Sequence, residues 1–146
     1  MKIIVIVPVL VTLFAANVYA GCEGGKTVFS CSTIKGKQIE VCDMEKTIDY
    51  SFGKPQEKSE IAIKIPREQA STFQWAGIGS SISYAVDIPN KNTTYNVFWS
   101  ADRMSEEHGI EAGVNVLINK ELVTTVKCAD KNIVNNLEGV NLKPTE

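Results

Sequence analysis

The sequence has few of the residues from which catalytic and metal sites are built. It contains one histidine, His108, and its four cysteines include no Cys-x-x-Cys pair. No serine lies in a Gly-x-Ser-x-Gly turn, and no glycine loop has the spacing that cradles phosphate. Since zinc sites and Ser-His-acid hydrolases depend on such sets, the sequence predicts a protein that is not an enzyme and that holds no metal and no cofactor.

An excess of charge of one sign is also missing. Lysine and arginine together number 15 against 17 acidic residues, for a formal net charge of −2, and they form no basic patch. Proteins that bind nucleic acids carry such a patch, so we expect no nucleic-acid partner. After the first 20 residues no apolar run approaches the roughly 20 residues that a membrane-spanning helix needs. We therefore expect no membrane span.

The first 20 residues have the order of an export signal. Lys2 is followed by an apolar run over residues 3–16, and Val18-Tyr19-Ala20 provides a small-residue cleavage site. Residues 1–20 are therefore predicted to be a signal peptide, and the protein is expected in the periplasm or outside the cell. Ala20-Gly21-Cys22 also fits a bacterial lipoprotein cleavage motif, so a lipid anchor through Cys22 is the alternative.

Four cysteines follow this segment, namely Cys22, Cys31, Cys42 and Cys128. An even number in an exported chain indicates two disulfides. The favoured pairing is Cys31–Cys42, directly across a hairpin, with Cys22–Cys128. Two other pairings stay open: Cys22–Cys31 with Cys42–Cys128, and Cys22–Cys42 with Cys31–Cys128.

The pattern of apolar residues predicts two β-hairpins. Apolar runs over residues 28–33 and 38–42 flank Lys35-Gly36-Lys37 and predict a hairpin whose tight turn is Gly36-Lys37. Runs over residues 80–88 and 93–100 predict a second hairpin, because the four residues between them have the composition of a turn.

Short alternating runs continue through most of the chain, with turn residues every 8–12 positions and no convincing helix. This pattern predicts an all-β fold of about eight or nine short strands, which is an antiparallel sandwich or a small barrel stapled by the disulfides. The β domain is expected over residues 21–128. A polar C-terminal tail is expected over residues 129–146.

The strand over residues 93–100 carries the most suggestive surface. Its aromatic residues fall on both faces of the strand, and only one face needs to be core. An aromatic side chain that is left on the other face is typical of a binding surface. The predicted binding residues lie in the second hairpin, and they are Ser80, Ser81, Tyr84, Phe98 and Trp99.

A catalytic alternative rests on one charged loop. Asp102, Glu106, Glu107 and His108 are close together in the sequence, and a pair of carboxylates is what a glycosidase uses. A small hydrolase built on these four residues is the least favoured function, because charged residues at this spacing usually form a solvated turn.

Phe29-Ser30-Cys31, the turn at Gly36-Lys37, Cys42 after an Ile-x-Val run and a closing Cys128 form a recognisable pattern. In these motifs the chain resembles a group of exported bacterial proteins of unknown function. The resemblance covers residues 22–128. It implies a periplasmic location and supplies no activity.

A shorter motif, Ser80-Ser81-Ile82-Ser83-Tyr84, has the spacing of the Ser-Gly-x-x-Tyr loop of periplasmic lysozyme inhibitors, with Ser81 where that family has glycine. The similarity implies that Ser80 and Tyr84 insert into the cleft of a lysozyme. We expect an exported non-enzymatic binding module of the bacterial envelope with a protein or envelope partner, and a lysozyme inhibitor is the alternative.

Overall fold

The computed structural model describes residues 21–146, and the signal peptide predicted for residues 1–20 lies outside the described residues. Within residues 21–146 the chain forms strands and one 3₁₀ turn, Arg67–Gln69. Nine strands have four or more residues, which confirms the predicted class and number of elements. The strands are β1 (Lys26–Ser32), β2 (Gln38–Asp43), β3 (Thr47–Gly53), β4 (Ile61–Pro66), β5 (Ser71–Gln74), β6 (Ser81–Asn90), β7 (Thr93–Asp102), β8 (Ile110–Ile118), β9 (Glu121–Lys127), β10 (Val134–Asn135) and β11 (Lys143–Pro144).

These strands form two sheets that pack face to face. The five-stranded sheet has the order β10-β1-β2-β3-β4, and the six-stranded sheet has the order β11-β5-β6-β7-β8-β9. Every pair is antiparallel except β11 and β5, which run parallel. The predicted sandwich is therefore confirmed. The described residues contain no helix that is long and apolar enough to cross a membrane.

The core lies between the sheets and is built from alternate apolar residues. In β3, Ile48 and Tyr50 are buried, whereas Asp49 between them points away from the core. In β7, Val97 is fully buried. The ring of Tyr50 stacks on the ring of Tyr95 in the other sheet, with 5.0 Å between centroids. This apolar contact between the sheets is the main source of stability for the fold.

The first hairpin has a longer turn than predicted. The backbone N–H of Thr33 donates to the carbonyl of Lys37 at 2.7 Å. Gly36, inside this turn, has a φ of 76°, which glycine adopts without the steric cost of a side chain. The two-residue turn predicted at Gly36-Lys37 is therefore wrong, and the register changes with it. Cys31 faces Ile39 across the hairpin.

The disulfides are Cys22–Cys42 and Cys31–Cys128, with Cα–Cα distances of 5.5 Å and 5.8 Å. The favoured pairing, Cys31–Cys42 with Cys22–Cys128, is wrong, and one of the two pairings left open is confirmed. The physical reason is that successive side chains of a strand point to opposite faces. Cys31 lies in the core, whereas Cys42 follows the buried Val41 and points to the outer face.

Each disulfide fastens a different part of the molecule. Cys31–Cys128 joins β1 of the five-stranded sheet to the residue after β9 of the six-stranded sheet, beside a backbone bridge from Thr33 to Cys128. Cys22–Cys42 holds the first described residues against the outer face of the five-stranded sheet. The sulfur of Cys22 is part of this bond, which leaves no free thiol for the lipid anchor considered above.

Residues 129–146 were expected to be a polar tail outside the β domain, and that prediction is wrong. Within this segment β10 pairs with β1, and β11 pairs with β5, so that it contacts both sheets. Leu137 lies between the two strands and is fully buried. The side-chain amide of Gln74 donates to the carbonyl of Leu137 at 2.8 Å. The segment completes the core because Leu137 is buried there and Ile133, Val140 and Leu142 pack against it.

Candidate functional site

The outer face of the six-stranded sheet carries a continuous row of polar side chains. The strand register places one residue from each of β5 to β9 side by side. Each of these side chains points away from the core. Asn96, for example, must point outward because its neighbour in the strand, Val97, is fully buried. We call this set the polar row, and its members are Ser71, Asp87, Asn96, Asn115 and Thr125.

Hydrogen bonds join four members of the polar row into a chain. The hydroxyl of Thr125 donates to the side-chain carbonyl of Asn115 at 2.7 Å. The side-chain N–H of Asn115 donates in turn to the side-chain carbonyl of Asn96 at 3.1 Å. The amide of Asn96 donates to one carboxylate oxygen of Asp87 at 2.6 Å, and Thr145 donates to the other at 2.9 Å. Bonds that run in the same direction polarise one another. The row is thus held in one geometry by the protein itself.

The polar row keeps hydrogen-bonding groups that are not used inside the protein. An asparagine side chain has two N–H donors and a carbonyl oxygen with two lone pairs. Asn96 and Asn115 each use one donor and one acceptor within the row. Each therefore retains one N–H and one lone pair for a ligand. These donor–acceptor pairs repeat roughly every 4.8 Å, the spacing between neighbouring strands.

Apolar side chains flank the polar row on both sides. On one side, Phe73 of β5 and Phe98 of β7 point outward, and Ala85 of β6 lies between them. The side chain of Phe73 is 50% exposed. On the other side, Leu117 and Leu122 face each other across β8 and β9, and Leu122 is 61% exposed. Ligand sites commonly combine apolar contact area with a few polar groups that fix orientation, and this face has both.

A shallow groove with a volume of about 490 Å³ runs along the polar row. Three members of the row, Asp87, Asn96 and Asn115, contribute to its floor. The turn between β8 and β9 borders one end, and the last described residues border the other. The remaining lining residues are Thr94, Leu117, Lys120, Leu122, Thr145 and Glu146.

Charges of both signs surround the groove and partly cancel. Among the described residues that line it, Lys120 is the cation, and Asp87 and Glu146 are the carboxylates. Both oxygens of Asp87 accept hydrogen bonds, so that its charge is engaged within the row. In the same cross-strand line as Phe98, on the far side of Gly113, the ammonium of Lys127 forms an ion pair with the carboxylate of Glu111 at 3.2 Å. The face therefore offers neither a strongly cationic nor a strongly anionic ligand a matching set of charges.

The structure separates the five binding residues predicted from the sequence. Phe98 lies on the outer face beside the polar row. Tyr84 and Trp99 point to the inner face, where their rings stack with 6.4 Å between centroids, and Tyr84 is only 8% exposed. Ser81 begins β6, and Ser80 is exposed in the loop before it. Phe98 is the member of this set that contributes to the face described above.

The loop before β6, residues 76–80, is braced by its neighbours. The indole N–H of Trp75 donates to the carbonyl of Ile78 at 2.9 Å, and the backbone N–H of Arg103 donates to that of Ser80 at 2.8 Å. The guanidinium of Arg103 lies 4.8 Å from the centre of the Trp75 ring, within the range of a cation–π contact. Ile78 is 84% exposed. This end of the molecule presents an apolar tip beside Ser80.

The four residues of the hydrolase alternative lie at the end of β7 and in the turn to β8. Glu106, Glu107 and His108 are exposed. The carboxylate of Asp102 accepts a hydrogen bond from the backbone N–H of Met104 at 2.8 Å, and this bond is the main reason that the pKa of Asp102 is lowered. Asp102 thus stabilises the turn that follows β7. In the described structure these four side chains do not bring three ligand atoms within 4.8 Å of one another.

The first described residues cover part of the outer face of the five-stranded sheet and border an open cavity of about 340 Å³ there. Glu40, at the centre of this face, lies beneath the Cys22–Cys42 disulfide and Glu23. The Oε2 atom of Glu40 is buried and has no hydrogen-bond partner among the described residues. Burial raises the pKa of this carboxyl. The two sulfurs approach Glu40 closely, but they are bonded to each other and are not available as metal ligands.

No family model matches this chain, and comparisons with curated proteins and with solved structures give no match either. Because one fold can serve many functions, the residues of the site and not the fold indicate the function.

The polar row was not predicted from the sequence. Its members come from five strands and share no motif, so that only the register of the sheet brings them together. One signal was present in the sequence. Asp87, Asn96 and Asn115 each stand within an apolar run, with apolar residues on both sides, on the face opposite the core. Three such positions on strands expected to be neighbours indicate an outward polar surface.

Proposed function

We propose that this chain is an exported, non-enzymatic binding module of the bacterial envelope, and that it binds with the outer face of its six-stranded sheet. The observation that carries the proposal is the polar row, which its own hydrogen bonds fix between two apolar flanks. A surface that is already ordered loses less conformational entropy on binding. Such an arrangement suits recognition of a ligand better than catalysis, because the row offers no activated acid, base or nucleophile.

Two disulfides support the export part of the proposal. Such bonds persist in oxidising compartments and are rare where thiols are kept reduced. The periplasm is the compartment that we propose, in agreement with the signal peptide predicted for residues 1–20.

Co-sedimentation with bacterial envelope tests the proposal. The oxidised chain over residues 21–146 is mixed with an envelope fraction that contains membranes and cell wall, and the sedimented share is measured. We expect Phe73→Ala to lower that share several-fold, because an exposed flank of the polar row is lost. Ser51→Ala, on the outer face of the other sheet, is the matched control and should bind as the unaltered chain does. Full binding by Phe73→Ala, or no binding by the unaltered chain, would contradict the proposal.

A second candidate function is inhibition of a lysozyme by the loop over residues 76–80. It is favoured by one observation: the loop is braced by Trp75 and Arg103 while Ile78 stands 84% exposed beside Ser80. Tyr84, the other residue of the resembling motif, is buried in β6 and has no part in it. If this function is right, micromolar protein inhibits a c-, g- or i-type lysozyme and Ser80→Ala weakens the inhibition. Lack of inhibition of all three types would exclude it.

A further inference from the structure

Resting on the function proposed above, we infer that the ligand of the polar row is a neutral oligosaccharide whose chain lies across the strands of the six-stranded sheet. The inference combines the donor–acceptor pairs of the row, its apolar flanks and the balance of charge around it. Each of these properties excludes a different class of ligand.

The free hydrogen-bonding groups match hydroxyl groups. A hydroxyl donates one hydrogen bond and accepts others. Asn96 and Asn115 each present one free N–H and one free lone pair, so that each amide can bond two neighbouring hydroxyls of one sugar, donating to one and accepting from the other. The oxygen of Thr125 donates its hydrogen within the row and keeps its lone pairs as acceptors. A peptide strand pairs with backbone groups at the edge of a sheet, whereas these groups are side chains on its face.

The spacing of the row favours a polymer over a single sugar. Donor–acceptor pairs follow the strands at intervals of roughly 4.8 Å. That interval is close to the length of one pyranose unit in an extended glycan. Two successive units can therefore meet Asn96 and Asn115 in turn along a groove of about 490 Å³.

The apolar flanks match the other side of a sugar ring. A pyranose has hydroxyl groups around its edge and C–H groups on its faces, and the C–H groups pack against aromatic and aliphatic side chains. Phe73 and Phe98 offer such contacts on one side of the polar row, and Leu117 and Leu122 offer them on the other. Aromatic rings with an exposed face supply contact area at a low cost in side-chain entropy.

The charges favour a neutral ligand. Lys120 is opposed by Glu146 at the groove, and Asp87 is already bonded by Asn96 and Thr145. A polyanion would meet more carboxylates than cations there. A polycation would need several free carboxylates, whereas the polar row has one, Asp87, whose two oxygens already accept hydrogen bonds.

Titration calorimetry with three soluble hexasaccharides tests the inference. Cellohexaose, chitohexaose and maltohexaose are neutral, and they differ in linkage and in the group at carbon 2. We expect the unaltered chain to bind at least one of them with an affinity that stays within about twofold between 50 mM and 500 mM NaCl, because no ion pair is made. Binding of none of the three, or a steep loss of affinity with salt, would overturn the inference.

Variants locate the site. Asn96→Ala removes two central ligand contacts and should weaken binding of the hexasaccharide by at least about tenfold, as expected for the loss of two hydrogen bonds. Because Asn96→Ala also interrupts the row, Leu122→Ser serves as a second variant that leaves every hydrogen bond of the row in place; it should weaken binding by about threefold. Ser51→Ala should leave the affinity unchanged. Unchanged affinity in both Asn96→Ala and Leu122→Ser would show that the glycan binds elsewhere and would overturn the inference.

The envelope assay separates failure of this inference from failure of the proposed function. Envelope digested with protease should still bind the chain. Periodate, which breaks the carbon–carbon bond between two neighbouring carbons that carry hydroxyl groups, should abolish binding to a glycan that has such pairs, and an excess of the hexasaccharide that the chain binds should release it from any glycan. If protease abolishes binding and periodate does not, the ligand is a protein. The proposed function then stands and the glycan inference is rejected.

Discussion

The two outer faces of the sandwich differ in how their polar groups are satisfied. On the five-stranded sheet, Glu40 lies under the disulfide of Cys22 and Cys42, and one of its oxygens is buried without a partner. On the six-stranded sheet, the carboxylate of Asp87 accepts a hydrogen bond on each oxygen and is the last acceptor in the hydrogen-bonded chain of the polar row. One face is partly covered by the chain, at a cost in stability, and the other is ordered and left open.

This contrast indicates which face is available for a ligand. A buried carboxylate without a partner destabilises the folded state, whereas side chains that satisfy one another can remain in one geometry without a ligand. The partly covered face therefore serves to fasten residues 21–25, and the open face is where we place binding. Variants that alter one face or its fastening at a time test this contrast, and they should change the free energy of unfolding by successively smaller amounts.

Removal of the Cys31–Cys128 disulfide should have the largest effect on stability. It spans 97 residues of sequence and joins the two sheets. In the chain-entropy model a loop of this length contributes roughly 4–5 kcal/mol to the free energy of unfolding. We expect the double variant Cys31→Ala with Cys128→Ala to lose about this amount in urea denaturation. A loss below about 1 kcal/mol would mean that the edge between the sheets is held by other contacts.

Removal of the Cys22–Cys42 disulfide should cost less and should affect one face only. Its sequence separation is 20 residues, for which the same model gives roughly 3 kcal/mol. In the variant Cys22→Ala with Cys42→Ala, hydrogen exchange should rise in residues 21–25 and in the middle of β2, while the six-stranded sheet remains protected. Equal loss of protection in both sheets would contradict a local fastening role.

Gly113→Ala should disturb the open face. A methyl group at this position would overlap the carbonyl oxygen of Val126 and lie 3.1 Å from the Cα of Lys127, both in the neighbouring strand. Since backbone atoms must move to admit it, we expect a loss of about 2 kcal/mol in the free energy of unfolding. Gly109→Ala is the matched control, because nothing lies within 4 Å of the added atom. A similar loss in both variants would refute the steric explanation.

Glu40→Gln should have the smallest effect, and its sign should depend on pH. Burial raises the pKa of Glu40 in the folded state, so that loss of the proton favours unfolding. The destabilisation is therefore present at neutral pH and disappears as the pH falls below the ordinary pKa of 4.5, because the carboxyl then becomes protonated in both states. We expect Glu40→Gln to raise the free energy of unfolding on the order of 0.5 kcal/mol at pH 7, since the group is partly solvated, and not at pH 3.

Glu57→Gln, in the exposed loop after β3, serves as the control and should show no such difference between the two pH values. A gain in stability by Glu40→Gln that is equal at pH 3 and pH 7 would exclude the charge of Glu40 as its cause.

Strands were predictable from the sequence because alternation is a local property. Ile48 and Tyr50 alternate with polar residues, and the structure has a strand there with those residues buried. The disulfide pairing was also within reach. Cys31 alternates in phase with the apolar Phe29, whereas Cys42 is out of phase with Val41, so the two point to opposite faces. The favoured pairing relied on an assumed turn length and overlooked this difference.

The binding face was not predictable to the same extent. Asp87, Asn96 and Asn115 form a row only because the strands pair in one register, and register depends on the exact length of each turn. The C-terminal segment was misjudged for a related reason. Its composition is polar, yet Leu137 is fully buried by contacts with distant strands. The apolar residues of this segment are scattered among polar ones without the alternation of a strand, so the sequence gives little warning of such a contact.

The bond between Cys31 and Cys128 also determines how the molecule responds to a mechanical pull. Force applied at residues 21 and 146 passes through this covalent link and bypasses the strands between the two cysteines. Only the segments outside the link, residues 21–30 and 129–146, can be drawn out. A machine that unfolds proteins by threading them from one end would stall at the first strand until the bond is reduced. The β-sandwich is thus shielded from extension by a single bond at its edge.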